Sequence, residues 1–218
     1  MSLLRAGFFR YGCWLLLTCK LGIANAAWYQ VEVIAFRYAQ AEDGSWAAAK
    51  ALPDFSTATH LAPATDTPET AESLAYQALA DYQLKLAGAY QALARSGNLE
   101  RLFHVGWRQQ DEDSRSVFLS TAAPAAEAVG DPVPVFLEGA VRISPTSTGF
   151  QLVSSFLVQQ GETPLVLAES RKMAGGELHY LDHPLVGLLV QVTALEPAAE
   201  AGDLALPVAV PSAAGDLD

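Results

Sequence analysis

Cysteine is almost missing from this chain, and basic charge and long hydrophobic runs are also scarce. Only two of the 218 residues are cysteines, Cys13 and Cys19, and both lie within the first 26 residues. A protein that loses this segment contains no thiol, which excludes a disulfide, a thiolate metal site and a cysteine nucleophile. The rest of the chain must therefore fold and act without thiol chemistry.

Acidic side chains far outnumber basic ones. The sequence has 13 Lys and Arg against 24 Asp and Glu, and without the first 26 residues the basic count falls to ten and the net charge to −14. Such a surface repels nucleic acid and anionic membranes, so we expect neither as a general partner. A Ser-His-Asp set, a phosphate-binding glycine loop and a dinucleotide fingerprint are also missing, so the sequence predicts neither an enzyme nor a cofactor.

The first 26 residues have the pattern of a secretory signal peptide. Two arginines open the segment, a mostly apolar stretch covers 11–23, and small residues at 24 and 26 match a signal-peptidase site. We therefore expect cleavage before Ala27 and a mature protein outside the cytoplasm.

Two other interpretations of this leader are open. A permanent membrane anchor would need about 20 apolar residues, whereas this stretch is shorter and contains Lys20. Lipidation at Cys19 would normally require a residue smaller than Thr18 before the cysteine. We therefore expect export without stable membrane insertion.

Alternating apolar residues predict about six strands. The first, 28–36, is apolar on both faces, which is typical of a central strand. The segments 39–65 and 110–132 show no sustained period and are predicted to be loops. The other predicted strands are 99–109, 133–144, 149–159, 165–173 and 187–195.

One long helix is predicted between the first two strands. Thr67 can cap its start, and Pro68 suits the first turn because the missing N–H would be unpaired there anyway. Gly97 can end the helix in a left-handed conformation. Between these signals, apolar residues at helical spacing predict a face packed on a sheet. These residues are Leu79, Tyr82, Leu86, Tyr90 and Leu93.

Together these elements predict a single α+β domain over 27–196. We expect a mainly antiparallel sheet of about six strands, covered on one face by the long helix at 68–96. A crossover through that helix leaves a parallel pairing of the first two strands open. The residues 197–218 are rich in Ala, Pro and acid, so we expect a disordered tail.

The segment 177–184 concentrates side chains that can carry chemistry. On a helix His179 and His183 would share a face and, with Asp182, could hold zinc for a metal-dependent hydrolase. Two glycines before the segment and Pro184 at its end leave little room for a helix, so a polar turn at 182–184 is the preferred interpretation. The residues expected to pack inward beside this turn are Leu178, Tyr180 and Leu185.

Three separated blocks resemble one known family. They read ELHYLDHPLVGLLV at 177–190, WYQVEVIAFR at 28–37 and HVGWRQ at 104–109, and together they resemble the CsiV family of peptidoglycan-binding envelope proteins. The family tends to have an Arg-Tyr-Leu-His stretch where the hairpin returns, whereas this chain has Gly-Phe-Gln-Leu at 149–152.

The resemblance implies a non-enzymatic protein of the Gram-negative periplasm that binds peptidoglycan. It also implies support of a class A penicillin-binding protein through that enzyme's outer-membrane lipoprotein activator. Two alternatives come from other classes: a metal-dependent hydrolase of wall fragments that uses the histidines and Asp182 above, and a pure protein-interaction module.

A peptidoglycan site would need exposed aromatic rings for sugars and cations or backbone N–H groups for peptide carboxylates. Trp107 beside Arg108 is one such pair, although Trp107 also suits the core. Arg171, next to Lys172, belongs to the one adjacent basic pair after the leader. The full set of candidate ligand-binding residues is Trp107, Arg108, Arg171, Glu177, His179, Tyr180, Asp182 and His183.

Overall fold

The computed structural model describes residues 27–39, 51–64, 75–121, 135–160 and 163–195. These ranges contain nine strands and one α-helix, α1 (Ala87–Ala94). The predicted signal peptide at 1–26 and the predicted tail at 197–218 lie outside the described residues. The strands are β1 (Trp28–Tyr38), β2 (Thr59–His60), β3 (Leu99–Gln110), β4 (Ser116–Ser120), β5 (Phe136–Thr146), β6 (Gly149–Gln160), β7 (Thr163–Met173), β8 (Leu178–Asp182) and β9 (Val186–Leu195).

The strands form two sheets. One has four strands in the order β3-β1-β9-β8, and the other has five in the order β2-β4-β5-β6-β7. All pairings between the described strands are antiparallel except that of β2 with β4. The predicted antiparallel character and the central place of β1 are confirmed. The parallel pairing left open for the first two long strands is wrong, because β1 and β3 run antiparallel.

The core lies between the two sheets. Alternate residues of the strands point inward, as expected when two sheets each bury one face. Trp107 on β3 and Phe156 on β6 are among the largest fully buried side chains. Gln109 on β3 donates from Nε2 to the carbonyl oxygen of Ile143 on β5 at 3.0 Å, so a buried hydrogen bond also joins the two sheets.

The predicted fold class, an α+β domain with one long helix over a single sheet, is wrong. The fold is mostly β, with two sheets and one short helix. Of the predicted helix 68–96, the residues 68–74 lie outside the described ranges, and 75–80 are not helical but run along the edge of β3. Within the described ranges, no helix is long and apolar enough to cross a bilayer.

Hydrogen bonds to β3 explain why helical spacing fails at 75–80. The backbone N–H of Tyr76 donates to the carbonyl of Arg108, and that of Leu79 donates to the carbonyl of Gly106. These bonds satisfy an edge strand that would otherwise expose its backbone, and this tertiary effect outweighs helix propensity. Tyr82, predicted to face the core, is 78% exposed.

Three short strands lie where the sequence predicted none, and the shortest, β2, falls inside the predicted loop 39–65. β4 lies in the segment predicted to be an exposed loop, because only Val117 and Leu119 alternate there and both are buried. β8 was not predicted and ends at Asp182, where the predicted polar turn begins. That turn is confirmed, because the backbones of His183 and Val186 exchange two hydrogen bonds. A strand of five residues contains too few alternations of apolar and polar residues to be recognised in the sequence.

Candidate functional site

The outward face of the four-stranded sheet is divided into a covered half and an open half. The chain from Leu79 through α1 lies over the half near β3. On the half formed by β8 and β9, Leu178 and Tyr180 are 46% and 41% exposed. They contradict the prediction that both pack inward, whereas Leu185 is buried as predicted.

An aromatic patch occupies the open half, and we define it as Phe36, Tyr38, Tyr180 and Asp182. The Phe36 and Tyr180 rings are nearly parallel, with an interplanar angle of 9° and centroids 6.2 Å apart. Tyr38 meets the Phe36 ring edge-on at 5.9 Å. Phe36 and Tyr38 alternate on β1, so their side chains leave the same face of the sheet.

Gly187 makes the room for these rings. It lies between Phe36 on β1 and Asp182 on β8 in the strand register. A Cβ at this position would stand 2.4 Å from Cζ of Phe36 and 2.9 Å from Cε2 of Tyr180. Only glycine at this position therefore allows both rings to lie over β9, the strand between β1 and β8.

The carboxylate of Asp182 orders the two phenols. Tyr180 donates its hydroxyl to Oδ1 at 2.6 Å and Tyr38 donates to the same oxygen at 2.8 Å, and the two hydroxyls also contact each other. Hydrogen bonds from Tyr180 and then Tyr38 hold the pKa of Asp182 below its ordinary value. Burial, followed by the nearby carboxylate, raises the pKa of Tyr180. At neutral pH the patch therefore carries one anion and two protonated phenols.

Arg171 holds β8 in place from the opposite sheet. Its Nη1 donates to the carbonyl oxygen of Tyr180 at 2.9 Å, and its Nη2 pairs with Oε2 of Glu169 at 2.5 Å. Lys172, its neighbour on β7, is exposed and points to the other side of the strand. The adjacent basic pair thus divides into a residue that positions the backbone of Tyr180 and a solvated lysine.

The remaining residues of the 177–184 segment do not converge. His179 points toward the inner side of the sheet, 18% exposed, with Nε2 at 3.9 Å from the exposed carboxylate of Glu177. His183 lies in the turn, where its Nδ1 accepts the N–H of Leu185 at 3.3 Å. Burial lowers the pKa of His183, and the charge of Asp182 opposes that effect.

A metal centre is therefore not assembled by the three predicted ligands. His179 and Asp182 leave opposite faces of β8, since positions three apart on a strand point to opposite sides. Across the described ranges, no group of three His, Cys, Asp or Glu side chains could hold a metal ion. The zinc interpretation depended on a helix, and the segment is a strand.

Trp107 and Arg108 lie on opposite faces of β3. Trp107 is fully buried and donates from Nε1 to Gln109 at 3.1 Å, so its predicted core role is confirmed and its ring offers no surface to a sugar. Arg108 lies on the outward face opposite Gln30, near the covered half. The two side chains cannot reach one ligand together.

The covered half contains a buried carboxylate that the sequence did not single out. Glu32 is 2% exposed. Its oxygens accept hydrogen bonds from the N–H groups of Lys85 and Leu86, both at 2.9 Å, from Gln30 at 2.8 Å and from His104 at 3.0 Å. Burial alone would raise the pKa of Glu32, but these hydrogen bonds outweigh it and lower the pKa. Glu32 therefore fastens the start of α1 to the sheet.

Sequence reasoning identified Tyr180 and Asp182 but missed Phe36, Tyr38 and Gly187. Phe36 was visible as the last residue of the predicted strand 28–36, whereas Tyr38 lay beyond its predicted end. Nothing local in the sequence pairs them with Gly187, because that pairing depends on β9 lying beside β1.

No curated protein and no solved structure matches the chain. A family model described as "Peptidoglycan-binding protein, CsiV" matches residues 12–147 and 154–195. The match is interrupted between residues 147 and 154, over the start of β6, and it includes all four residues of the aromatic patch. With more than half of its length matched, the chain belongs to the CsiV family of peptidoglycan-binding proteins.

Proposed function

We propose that this chain binds peptidoglycan in the cell envelope through the aromatic patch and does so without catalysing a reaction. The observation that carries the proposal is the patch itself, where the exposed ring of Tyr180 lies beside a carboxylate and two hydroxyls. Sugars bind proteins by packing their C–H faces on such rings while polar groups at the rim fix their orientation. Membership in a family of peptidoglycan-binding proteins supports the same function.

Co-sedimentation with purified sacculi tests wall binding. We expect the wild-type protein in the pellet and the Tyr180→Ala variant mostly in the supernatant. Tyr82→Ala is the matched control, because Tyr82 is 78% exposed but lies in the short 3-10 helix Asp81–Gln83, away from the patch. Wild-type protein that stays in the supernatant would contradict peptidoglycan binding.

Export to the Gram-negative periplasm is the second part of the proposal. It is supported by the leader pattern at 1–26 and by the need to meet the wall outside the cytoplasm. We expect mass spectrometry of protein from a periplasmic extract to find Ala27 as the first residue. A cytosolic form that keeps Met1 would contradict export.

An adaptor role is the third part. By its resemblance to the family, the protein is proposed to support a class A penicillin-binding protein by contacting that enzyme's outer-membrane lipoprotein activator. We expect the activator to be recovered with the tagged protein from envelope extracts after muramidase has removed all wall material. Loss of the activator on muramidase treatment would mean that only the wall links the two proteins.

A further inference from the structure

We infer that the aromatic patch recognises the glycan of peptidoglycan and not its stem peptide. The ligand class is a neutral chain of N-acetylated amino sugars, bound with a sugar face on Tyr180 and its polar rim toward Asp182. This inference rests on the proposed function, because it names which component of the wall the same site holds.

The first step is the shape of the patch. Phe36 is 4% exposed and supports the 41% exposed Tyr180, whose ring is nearly parallel to it. The hydroxyl of Tyr180 is fixed by Asp182, and its backbone carbonyl is fixed by Arg171. The ring is therefore held in one orientation before any ligand arrives, which lowers the entropy lost on binding.

The second step is the match of hydrogen-bonding groups. The patch presents the carboxylate of Asp182 together with the hydroxyls of Tyr38 and Tyr180. A carboxylate only accepts hydrogen bonds, and the hydroxyl and acetamide groups of amino sugars supply the donors it needs. The carboxylates of a stem peptide would instead be repelled by Asp182.

The third step concerns cations, which a peptide carboxylate would need. On the outward face of the four strands, within the described ranges, the arginines are Arg101 and Arg108. Arg101 is the register partner of Phe36, but its guanidinium is directed toward α1, 4.6 Å from the centroid of the Tyr90 ring and 3.4 Å from Oε1 of Gln91. Arg108 is opposite Gln30, about 20 Å from Phe36 along β1. Neither arginine is placed to form a guanidinium fork at the patch. The guanidinium of Arg171, beside Tyr180, is already paired with Glu169 and with the Tyr180 carbonyl.

Immobilised probes separate the two components of the wall. Chitin beads present N-acetylglucosamine in a multivalent form, and matched beads carry the tetrapeptide stem at equal density. We expect the wild-type protein to be retained on chitin and washed from the peptide beads. Retention on chitin should fall about tenfold in Gly187→Ala, because the new Cβ forces the Phe36 and Tyr180 rings apart while every charged group stays.

Two further variants keep the test independent of folding. Gly88→Ala adds a Cβ that meets nothing within 4 Å, so it should bind chitin like the wild type. Tyr180→Ala truncates an exposed side chain and should remain folded, as checked by its urea midpoint, while losing retention.

The outcomes distinguish this inference from the proposed function. Patch-dependent retention on peptide beads, or equal retention of the wild type and both patch variants on chitin, would overturn the glycan assignment while sacculus binding stands. Failure of the wild type on chitin combined with binding to sacculi would also overturn it. Failure on chitin, peptide beads and sacculi alike would remove the proposed function itself.

Discussion

The two halves of the outward sheet face each hold a carboxylate that accepts several hydrogen bonds, yet the two carboxylates have opposite surroundings. Glu32 is buried and accepts from backbone N–H groups and His104. Asp182 is exposed and accepts from two phenols. In the first case the donors belong to the element that covers the site, and in the second they belong to the surface that a ligand would meet. The same chemistry therefore holds the fold together in one half and remains available for binding in the other.

Burial decides how much each carboxylate contributes to the stability of the fold. A buried anion is stable only when hydrogen bonds replace its water shell. The loss of either the charge or its donors therefore strongly lowers the free energy of unfolding. An exposed anion is solvated in any case, and its hydrogen bonds contribute far less to stability. Substitutions in the covered half should thus change folding, and those in the open half should change binding.

The largest effect is expected from Glu32→Gln. An amide keeps one acceptor oxygen and directs its NH2 group toward the donors on the other side, either Lys85 or the pair Leu86 and His104. The charge that all these donors solvate is lost as well, so we expect the free energy of unfolding to fall by about 3–5 kcal/mol. Urea denaturation measures the change. Glu177→Gln is the control, because this side chain is 70% exposed, and it should change stability by no more than about 0.5 kcal/mol. Equal effects of the two substitutions would contradict the anchoring role of Glu32.

Acid should weaken the covered half in a defined pH range. The folded-state pKa of Glu32 lies below the ordinary value of 4.5, so its contribution to stability is complete above that value and is lost as the pH falls through the folded-state pKa. Urea titrations between about pH 5 and pH 3 should show a steeper loss of stability for the wild type than for Glu32→Gln. Parallel curves would mean that folding leaves the pKa of Glu32 unchanged, which would contradict its role as a hydrogen-bonded anchor.

A smaller effect is expected where the covering segment touches the sheet. A Cβ at Gly106 would stand 2.8 Å from Leu84 and 3.1 Å from Leu79 and Glu32. Gly106→Ala should therefore lower the free energy of unfolding by about 1–3 kcal/mol by lifting this segment. Gly88→Ala, in open space on α1, should instead raise stability by up to about 1 kcal/mol. A neutral Gly106→Ala would show that the segment adjusts freely.

The smallest effect on folding is expected in the open half. Asp182→Asn keeps the shape of the side chain and removes its charge, and it should change the free energy of unfolding by about 0.5 kcal/mol or less. Sacculus co-sedimentation should nevertheless fall, because the amide orders the hydroxyls of Tyr38 and Tyr180 less firmly. A variant that binds sacculi normally but unfolds easily would reverse the roles of the two carboxylates.

Long strands were predictable because the alternation of apolar and polar residues continues over many residues. β1 and the β5–β6 hairpin were found within a few residues of their bounds, since each carries ten or more residues of alternating pattern. The predicted helix failed because hydrogen bonds to β3 keep 75–80 out of a helix and leave only eight helical residues in α1. The backbone N–H groups of Lys85 and Leu86 then bind Glu32 from across the chain, a contact that no local spacing encodes.

The candidate site was predictable only in part, for the same reason. Tyr180 and Asp182 are neighbours on one short strand and were visible as a cluster of polar and aromatic residues. Phe36 and Gly187 join them through cross-strand pairings between distant parts of the chain. A sequence shows which residue types can bind, whereas strand order decides which of them meet.

The guanidinium of Arg171 has a consequence for self-association. β8 is the outermost strand of its sheet, and such strands offer free carbonyls to the strands of neighbouring molecules. Because Arg171 already occupies the carbonyl of Tyr180, an incoming strand would have to displace a charged side chain before it could pair there. The contact that steadies the aromatic ring thus also discourages edge-to-edge aggregation in a crowded compartment.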